Sequence, residues 1–357
     1  MIVKDSFVGN NWNNRSFWNG PIHHRISHEA YLHRQVSTRH ARVIELLGDY
    51  VDHTLRIMRL YTSYGEMGDL HTLLANHIML HERVDEEGKP LGRVARLPAV
   101  VVICLCEAMA AAVCLMAHGQ LPDDQGVWPG LHGHGDGDGD GDEPDHPWSH
   151  DTIHRDIKPA NFFLTRNGDP KRWDKLPVAS IGDFGNGLDL RDPWWIANPN
   201  ECKGMGTPGW EAPEQEAFTD VPMTSAVNVF QVGLVMFNLM TLTSPEWGMR
   251  FNDPDPDRGQ VDPDQRPFPS VRRHAYPQVL VSLAFDCTHY QPARRPSPKE
   301  LFMRMRKLAQ ETDHEKINGA SHLLPWGKLT WKLNLQQETL LTILVQNTNR
   351  SLRINSF

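Results

Sequence analysis

The longest apolar stretch of the chain covers residues 98–117 and predicts a buried helix. Apolar residues fill it almost completely, with one charge, Glu107, near its centre. Its length approaches what a lipid bilayer requires, but a charge at the bilayer centre is costly, and a helix in the core of a soluble protein has the same composition. We therefore predict a core helix and no membrane insertion. Similar apolar patterns predict helices at residues 229–242, 279–285 and 301–308.

The N-terminal part of the chain has the pattern of a small mixed α/β region. Residues 28–43 follow a helical period. Residues 43–48 and 55–61 are apolar runs between turn signals, which predicts strands of an antiparallel sheet. Residues 1–28 show little periodicity and are predicted to form loop or frayed strand. A small sheet region is thus predicted to precede a mainly helical one.

Residues 120–148 interrupt the apolar pattern with Gly, Asp, His and Pro. This composition cannot form a packed face, and we predict a disordered surface insertion. One alternative is a calcium loop, which is disfavoured because Pro147 stands where such a loop needs a bidentate Glu. Weak binding of a transition metal by histidines is the other alternative, and it rests on His132, His134 and His146.

Composition and charge narrow the class of protein. A hydrophobic fraction of 39% over 357 residues is enough to bury a core. The net charge of −8 argues against a surface that binds nucleic acid or anionic lipid. The five cysteines form no C-x-x-C pair, and the first residues lack the apolar run of a signal peptide. We expect a cytoplasmic or nuclear protein, monomeric, that binds no nucleic acid.

Three motifs with catalytic residues follow in order: H-R-D-I-K-P-A-N at residues 154–161, D-F-G at 183–185 and A-P-E at 212–214. They resemble the catalytic loop, the metal-binding triplet and the end of the activation segment of eukaryotic serine/threonine protein kinases. Each triplet alone is a weak signal, but the ordered series is specific because the first string matches six positions. The resemblance covers about residues 28–310. Residues 206–214 are a further match within that range, with Trp210 in place of the family's tyrosine.

The resemblance implies a role for each polar residue of these motifs. Phosphoryl transfer requires that ATP, metal and acceptor hydroxyl are held in line and that negative charge is neutralised. Asp156 would accept the proton of the attacking hydroxyl, and Lys158 would contact the γ-phosphate. Asn161 and Asp183 would bind the Mg²⁺ ions that bridge the phosphates. Thr207 would link Asp156 to Lys158.

Residues 62–70 resemble the hinge between the two lobes of a kinase, although this motif is less distinctive. The resemblance implies that Thr62 is the gatekeeper. It also implies that backbone groups of Ser63 and Gly65 hold the adenine edge of ATP. Asp69 is then placed to reach the ribose.

The resemblance is weakest at the N-terminus. Kinases cover the phosphates with a G-x-G-x-x-G loop ahead of a strand that carries an essential lysine, and no such loop flanks Lys4. Lys4 is either that lysine, with the preceding strands absent, or an ordinary charged residue near a chain end. Glu29 is the candidate for its carboxylate partner, and a solvated charge on a helix is the alternative.

Other departures concern the support of the catalytic loop and its regulation. Asn228 stands where kinases have an aspartate that accepts hydrogen bonds from the catalytic loop. No Ser, Thr or Tyr occurs between Phe184 and Gly206, so phosphorylation within that span cannot order it. Either Asp192 or Glu201 then pairs with Arg155, or nothing does. Two further predictions are that Asn186-Gly187 adds backbone freedom after D-F-G and that Arg295 forms a buried ion pair with Glu214.

The fold class expected from these observations is α+β, a two-lobed kinase-like fold with a small, truncated β-rich N-lobe and a mainly helical C-lobe. The predicted divisions are 1–68, 69–310 and a tail at 311–357. The expected function is ATP-dependent transfer of phosphate to Ser or Thr of protein substrates, with ATP and Mg²⁺ as cofactors. A catalytically impaired pseudokinase or scaffold protein is the alternative.

Overall fold

A computed structural model describes residues 1–14, 17–19, 26–36, 41–81, 96–129, 151–166, 176–217, 219–245 and 276–312. Most of the predicted insertion, including its histidines and the alternative calcium loop, lies outside the described residues, and so does the tail from residue 313. The described part contains a small sheet region, at residues 1–62, and a helical region, at residues 69–312.

The sheet region begins with strand β1 (Ile2–Phe7) and a short pair of strands, β2 (Trp18–Asn19) and β3 (Ile26–Ser27). Helix α1 (His28–Val36) follows, and then strands β4 (Leu46–Asp52) and β5 (Ile57–Thr62). The three longer strands form an antiparallel sheet in the order β1-β5-β4, in which Lys4 lies opposite Leu60. The predicted helix and the two predicted antiparallel strands are confirmed, although the helix ends at Val36 rather than at residue 43 and the first of the strands begins at Leu46 rather than at residue 43.

At residues 2–7, predicted as loop or frayed strand, the chain forms a regular strand that is paired along its whole length. These residues form β1, whose pairing partner β5 lies more than fifty residues later in the chain. Their side chains are mostly exposed, so they carry no strong alternation of buried and exposed positions. The strand is defined by its long-range pairing, which local pattern cannot report.

The helical region starts with α2 (Leu70–His81) and α3 (Ala99–His118), and α3 forms its centre. Helix α3 is long and apolar enough to cross a membrane, but 94% of its most apolar window is buried inside the protein. It ends at Gly119, whose left-handed φ of 70° lets its N–H donate to Leu115 O at 2.7 Å. The predicted core helix is therefore confirmed.

Four short strands then carry the catalytic motifs: β6 (Thr152–Ile153), β7 (Phe162–Thr165), β8 (Val178–Ile181) and β9 (Leu188–Asp189). They pair antiparallel, β6 with β9 and β7 with β8. These pairings bring the H-R-D and D-F-G motifs to neighbouring positions, because H-R-D lies between β6 and β7 and D-F-G lies between their partners β8 and β9.

The remaining helices are α4 (Pro193–Ala197), α5 (Ala226–Thr241), α6 (Gln278–Cys287) and α7 (Pro298–Glu311). Helices α5, α6 and α7 confirm the three apolar patterns of the sequence. Helix α7 begins with a capping box, in which Ser297 Oγ accepts from Glu300 N and Glu300 Oε2 accepts from Ser297 N. Helices α5 and α7 both pack on α3, and all five cysteines are buried and unbridged.

Candidate active site

Asp156 is the centre of the polar cluster formed by the H-R-D loop. It is buried, and its carboxylate accepts from Lys158 Nζ at 3.0 Å and from Thr207 Oγ1 at 2.6 Å. Lys158 Nζ is in turn 2.5 Å from Thr207 Oγ1. Three residues from two separate loops thus form a closed triangle, which restrains the carboxylate in one orientation.

Asn161 secures the same loop from the side. Its Nδ2 donates to the backbone oxygen of Asp156 at 2.8 Å, and lies 3.4 Å from the Asp156 carboxylate. Its Oδ1 takes no part in these two bonds. Because Mg²⁺ prefers oxygen ligands, this amide oxygen is chemically suited to a magnesium ion.

Buried amide side chains support the loop from beneath. Asn228 Oδ1 accepts from His154 N at 2.9 Å, and its Nδ2 donates to Thr152 O at 2.9 Å. Gln231 Oε1 accepts from Ile157 N at 3.1 Å. The substitution of an amide for the usual aspartate therefore keeps the acceptor and adds a donor, without placing a charge in the core.

Gln215 connects this support to the segment after D-F-G. Its Nε2 donates to Arg155 O and to Met205 O, both at 2.9 Å. Gln231 Nε2 donates to Arg155 O at 3.0 Å and to Gln215 Oε1 at 3.1 Å. The sequence motifs did not point to either glutamine, because a buried glutamine has no distinctive spacing.

Asp183 lies beyond the end of β8 with a left-handed φ of 67°. The next residue, Phe184, is fully buried and lies between two histidine rings, with ring centroids 4.9 Å from His33 and 5.0 Å from His154. The rings connect α1 to the catalytic loop through the D-F-G motif. Sequence analysis missed His33, although it lies one helical turn after Glu29 on the same face of α1.

Lys4 reaches from β1 to two carboxylates. Its Nζ is 2.8 Å from Glu29 Oε1 and 2.6 Å from Asp183 Oδ1, so the structure brings together three of the predicted site residues. Burial lowers the pKa of Lys4, but the negative charges of Glu29 and Asp183 outweigh it and the pKa is raised. For Asp183, burial acts to raise the pKa, and the charge of Lys4 outweighs it and lowers the pKa. For Glu29 burial prevails, and its pKa is raised.

Arg155 binds the segment after D-F-G through backbone oxygens. Its guanidinium donates to Asn186 O and Cys202 O at 2.5 Å each, and to Gly187 O at 3.3 Å. Within the described residues neither Asp192 nor Glu201 pairs with it, so of the two predicted alternatives the one without an acidic partner agrees with the structure. Asp192 instead caps α4 by accepting from Trp194 N. Burial away from carboxylates lowers the pKa of Arg155 to about 10.

The predicted ion pair between Arg295 and Glu214 is confirmed. Both side chains are buried, and the guanidinium makes two parallel bonds to the carboxylate, at 2.5 and 2.8 Å. Arg295 also lies over the Phe230 ring, 4.7 Å from its centroid. The pair anchors the A-P-E motif to α5 and to the loop before α7.

Two glycines are required by close packing rather than by an unusual backbone. A Cβ at Gly65 would lie 2.9 Å from Phe163 Cβ, where residues 63–68 pass over β7. A Cβ at Gly187 would lie 2.6 Å from Leu32 Cδ1 of α1. Gly187 has an ordinary φ of −64°, so its close contacts do not depend on an unusual backbone, and the predicted backbone freedom after D-F-G stays a prediction.

The remaining predicted hinge residues lie at the junction of sheet and helical regions. Thr62 ends β5, and Ser63 N donates to Glu45 O at 2.9 Å. Asp69 accepts from Thr72 N and Thr72 Oγ1, both at 2.8 Å, and so caps the start of α2. The structure therefore gives the Asp69 carboxylate a structural role, while contact with ribose stays a prediction.

Metal binding by this site would use few protein ligands. In the part of the chain that the structure describes, no group of three or more His, Cys, Asp or Glu side chains is assembled for a metal. Asp183 and Asn161 offer one carboxylate and one amide oxygen. Such a pair suits Mg²⁺ held largely by phosphates and water, and does not suit a metal held by protein alone.

The arrangement can hold a metal-bound anion and orient a hydroxyl, which is the chemistry of phosphoryl transfer. Comparison with known proteins agrees with this chemistry. Residues 145–305 match the family model described as the protein kinase domain. The chain therefore contains a protein kinase catalytic domain, and it has a kinase-like mixed fold.

Three similar proteins are kinases by name. The G2-specific protein kinase fin1 of Schizosaccharomyces pombe is 26% identical over 60% of this chain and 24% of its own length. Serine/threonine-protein kinase Nek5 of Mus musculus is 28% identical over 48% of this chain and 25% of its own length. Serine/threonine-protein kinase PkaA of Streptomyces coelicolor is 29% identical over 44% of this chain and 26% of its own length. The matched segments span about a quarter of the length of each relative.

Proposed function

We propose that this chain is an ATP-dependent protein kinase that transfers the γ-phosphate to Ser or Thr hydroxyls of protein substrates. The observation that carries the proposal is the triangle of Asp156, Lys158 and Thr207. Asp156 is held with its carboxylate oriented by a lysine and a hydroxyl, as a base that accepts a hydroxyl proton requires. Lys158 resembles the lysine that serine/threonine kinases have beside this base, and the resemblance favours Ser and Thr as acceptors.

The nucleotide is proposed to bind between the sheet and helical regions. Lys4 would bind its phosphates, with Glu29 orienting the lysine. Asp183 and Asn161 would hold Mg²⁺, which supplies charge neutralisation when bound. The backbone of Ser63 and Gly65 would contact the adenine, beside Thr62, and Asp69 would contact the ribose. Each of these roles is a prediction of the kinase resemblance.

The alternative is a pseudokinase or scaffold protein with a kinase-like fold. One observation favours it: Lys4 and Asp183 neutralise each other directly at 2.6 Å. A nucleotide would have to compete with that ion pair for both side chains. Because the pair is partly exposed, its strength is modest in water.

The test is transfer of labelled phosphate from ATP with magnesium to a basic protein substrate, followed by identification of the phosphorylated residue type. The purified chain is compared with Asp156→Asn and Asp183→Ala. Asp5→Asn is the matched control, because Asp5 is a carboxylate on the same strand as Lys4 but pairs with Arg59. Transfer to Ser or Thr by the wild type and Asp5→Asn, and by neither other variant, supports the kinase. Wild-type transfer no greater than that of Asp156→Asn supports the scaffold.

A further inference from the structure

Glu107 is a buried carboxylate in the middle of α3, with 1% of its surface exposed. Two arginines contact it from different elements. Arg42 Nη2 lies 3.0 Å from Oε2, and Arg306 Nη1 lies 3.1 Å from Oε1. A charge at this depth is costly without partners, and the two cations offset that cost.

The two arginines belong to different regions. Arg306 is on α7, which packs on α3 within the helical region, and it also contacts Asp124 at 3.1 Å. Arg42 lies in the segment that joins α1 to β4, in the sheet region. The Glu107 carboxylate therefore ties a segment of the sheet region to the central helix.

The segment at residues 42–44 continues from that anchor to the strand that precedes D-F-G. Arg42 O accepts from Ile181 N at 2.9 Å, and Ile44 N donates to Ile181 O at 2.9 Å. Ile181 ends β8, two residues before Asp183. The position of Asp183 is thus coupled to Arg42 through two backbone hydrogen bonds.

The same segment also contacts the helix that carries Glu29. Ile44 O accepts from His33 Nε2 at 2.6 Å, and His33 follows Glu29 by one turn of α1. Residues 42–44 therefore lie between the elements that present the two carboxylates of Lys4. A shift of this segment would change the position of both carboxylates relative to the lysine.

We propose that Glu107 is a positioning residue for the nucleotide site. Acting through Arg42, it holds residues 42–44 in place and so sets the geometry of Glu29 and Asp183 around Lys4. Arg42 Nε is buried without a hydrogen-bond partner among the described residues. The bond from Nη2 to Glu107 is therefore the main restraint on the Arg42 side chain. That the ligand is Mg·ATP rests on the proposed function. The coupling between Glu107 and the strand before Asp183 does not depend on it.

The competing explanation is that the three charges contribute to stability alone, and two matched variants separate the explanations. Arg42→Met and Arg306→Met each remove one of the two cations from the same carboxylate and keep the aliphatic chain. The loss of stability should be at least as large for Arg306→Met, because Arg306 also contacts Asp124. Only Arg42→Met releases residues 42–44, the segment that is hydrogen-bonded to Ile181.

The first measurement is the affinity of the full chain for Mg·ATP by calorimetry. Arg42→Met is expected to weaken binding about tenfold, and Arg306→Met to stay within about twofold of wild type. Arg42→Lys, which keeps a cation for Glu107, should recover part of the loss. Equal weakening in both methionine variants, or no weakening in Arg42→Met, would overturn the proposal.

The second measurement is amide hydrogen exchange of peptides that cover residues 178–183, which needs no nucleotide. Exchange should be faster than wild type in Arg42→Met and unchanged in Arg306→Met, because Ile181 N donates to Arg42 O. Equal rates in the two variants would overturn the coupling. If the wild type bound no Mg·ATP, the proposed function would fail, and this comparison alone would decide whether Glu107 positions the strand before Asp183.

Discussion

The two halves of the candidate site are held by different kinds of interaction. Asp156 is buried and restrained by short hydrogen bonds within the helical region, supported by the neutral amides of Asn228 and Gln231. The side chains of Lys4 and Asp183 are 39% and 43% exposed, and they form an ion pair between the sheet region and the helical region. Buried networks keep their geometry in salt and through small motions, whereas exposed ion pairs are screened.

This difference indicates how each half would behave when ligand arrives. Asp156, the proposed base, is already held in one orientation, so it would need no rearrangement before transfer. The Lys4 cluster must open to admit phosphates and metal, and its partly exposed charges make that opening inexpensive. Variants in the two halves should therefore have different consequences for stability, pH dependence and ligand binding.

The largest expected effect is on stability in the helical region. Glu214→Gln leaves Arg295 buried without its anion and should lower the free energy of unfolding by about 3 to 5 kcal/mol. Urea denaturation measures it. Asp286→Asn is the matched control, because Asp286 pairs with Arg304 at a half-exposed site, and its midpoint should match wild type. A midpoint for Glu214→Gln equal to that of the control would show that the buried pair contributes nothing.

The next effect is a loss of stability in acid through His33. Burial lowers the pKa of His33 to about 4, below the value of 6.5 expected in the unfolded chain. As pH falls, the unfolded state binds the proton first, so stability is complete above pH 6.5 and declines towards pH 4. The decline should be on the order of 3 kcal/mol.

Thermal or urea unfolding across that pH range checks this prediction in the wild type and His33→Leu. The variant should be less stable at neutral pH, because it loses the bond to Ile44 O, and its stability should depend less on pH. His28 and His154 are also buried with a lowered pKa, so some dependence should remain. Identical pH profiles for the two proteins would contradict the assignment.

A smaller effect is expected at the hydroxyl of the triangle. Thr207→Ala removes the bonds to Asp156 and Lys158 and should slow phosphate transfer roughly 10-fold to 100-fold, with nucleotide affinity retained. Thr207→Ser keeps the hydroxyl and should recover most of the rate. Steady-state transfer assays with both variants decide it, and an alanine variant as fast as the serine variant would remove Thr207 from the site.

The smallest effect is expected on the outer face of the sheet. Asp5 and Arg59 form a bidentate pair in which both side chains are partly exposed, and such pairs contribute little. Asp5→Asn should leave the unfolding midpoint and the transfer rate unchanged. A marked loss of transfer would mean that β1 positions Lys4 more delicately than its exposed location suggests.

Contiguous motifs and long apolar runs made much of this molecule predictable. The catalytic loop, D-F-G and A-P-E are read from adjacent letters, and α3, α5 and α7 from uninterrupted apolar or amphipathic stretches. The regular strand β1 was not predicted, because it forms by pairing with β5, which lies far along the sequence. The partners of Arg155 were missed because backbone carbonyls occur at every residue and leave no signature in the side-chain sequence.

The central claim is that one site combines a nucleotide-binding half at Lys4 with a transfer half at Asp156. The most direct test measures Mg·ATP affinity and phosphate-transfer rate side by side for Lys4→Met and Asp156→Asn. Asp156→Asn should bind Mg·ATP as the wild type does and transfer almost no phosphate, while Lys4→Met should lose affinity as well as transfer. Normal transfer by Asp156→Asn, or unchanged affinity in Lys4→Met, would contradict this claim.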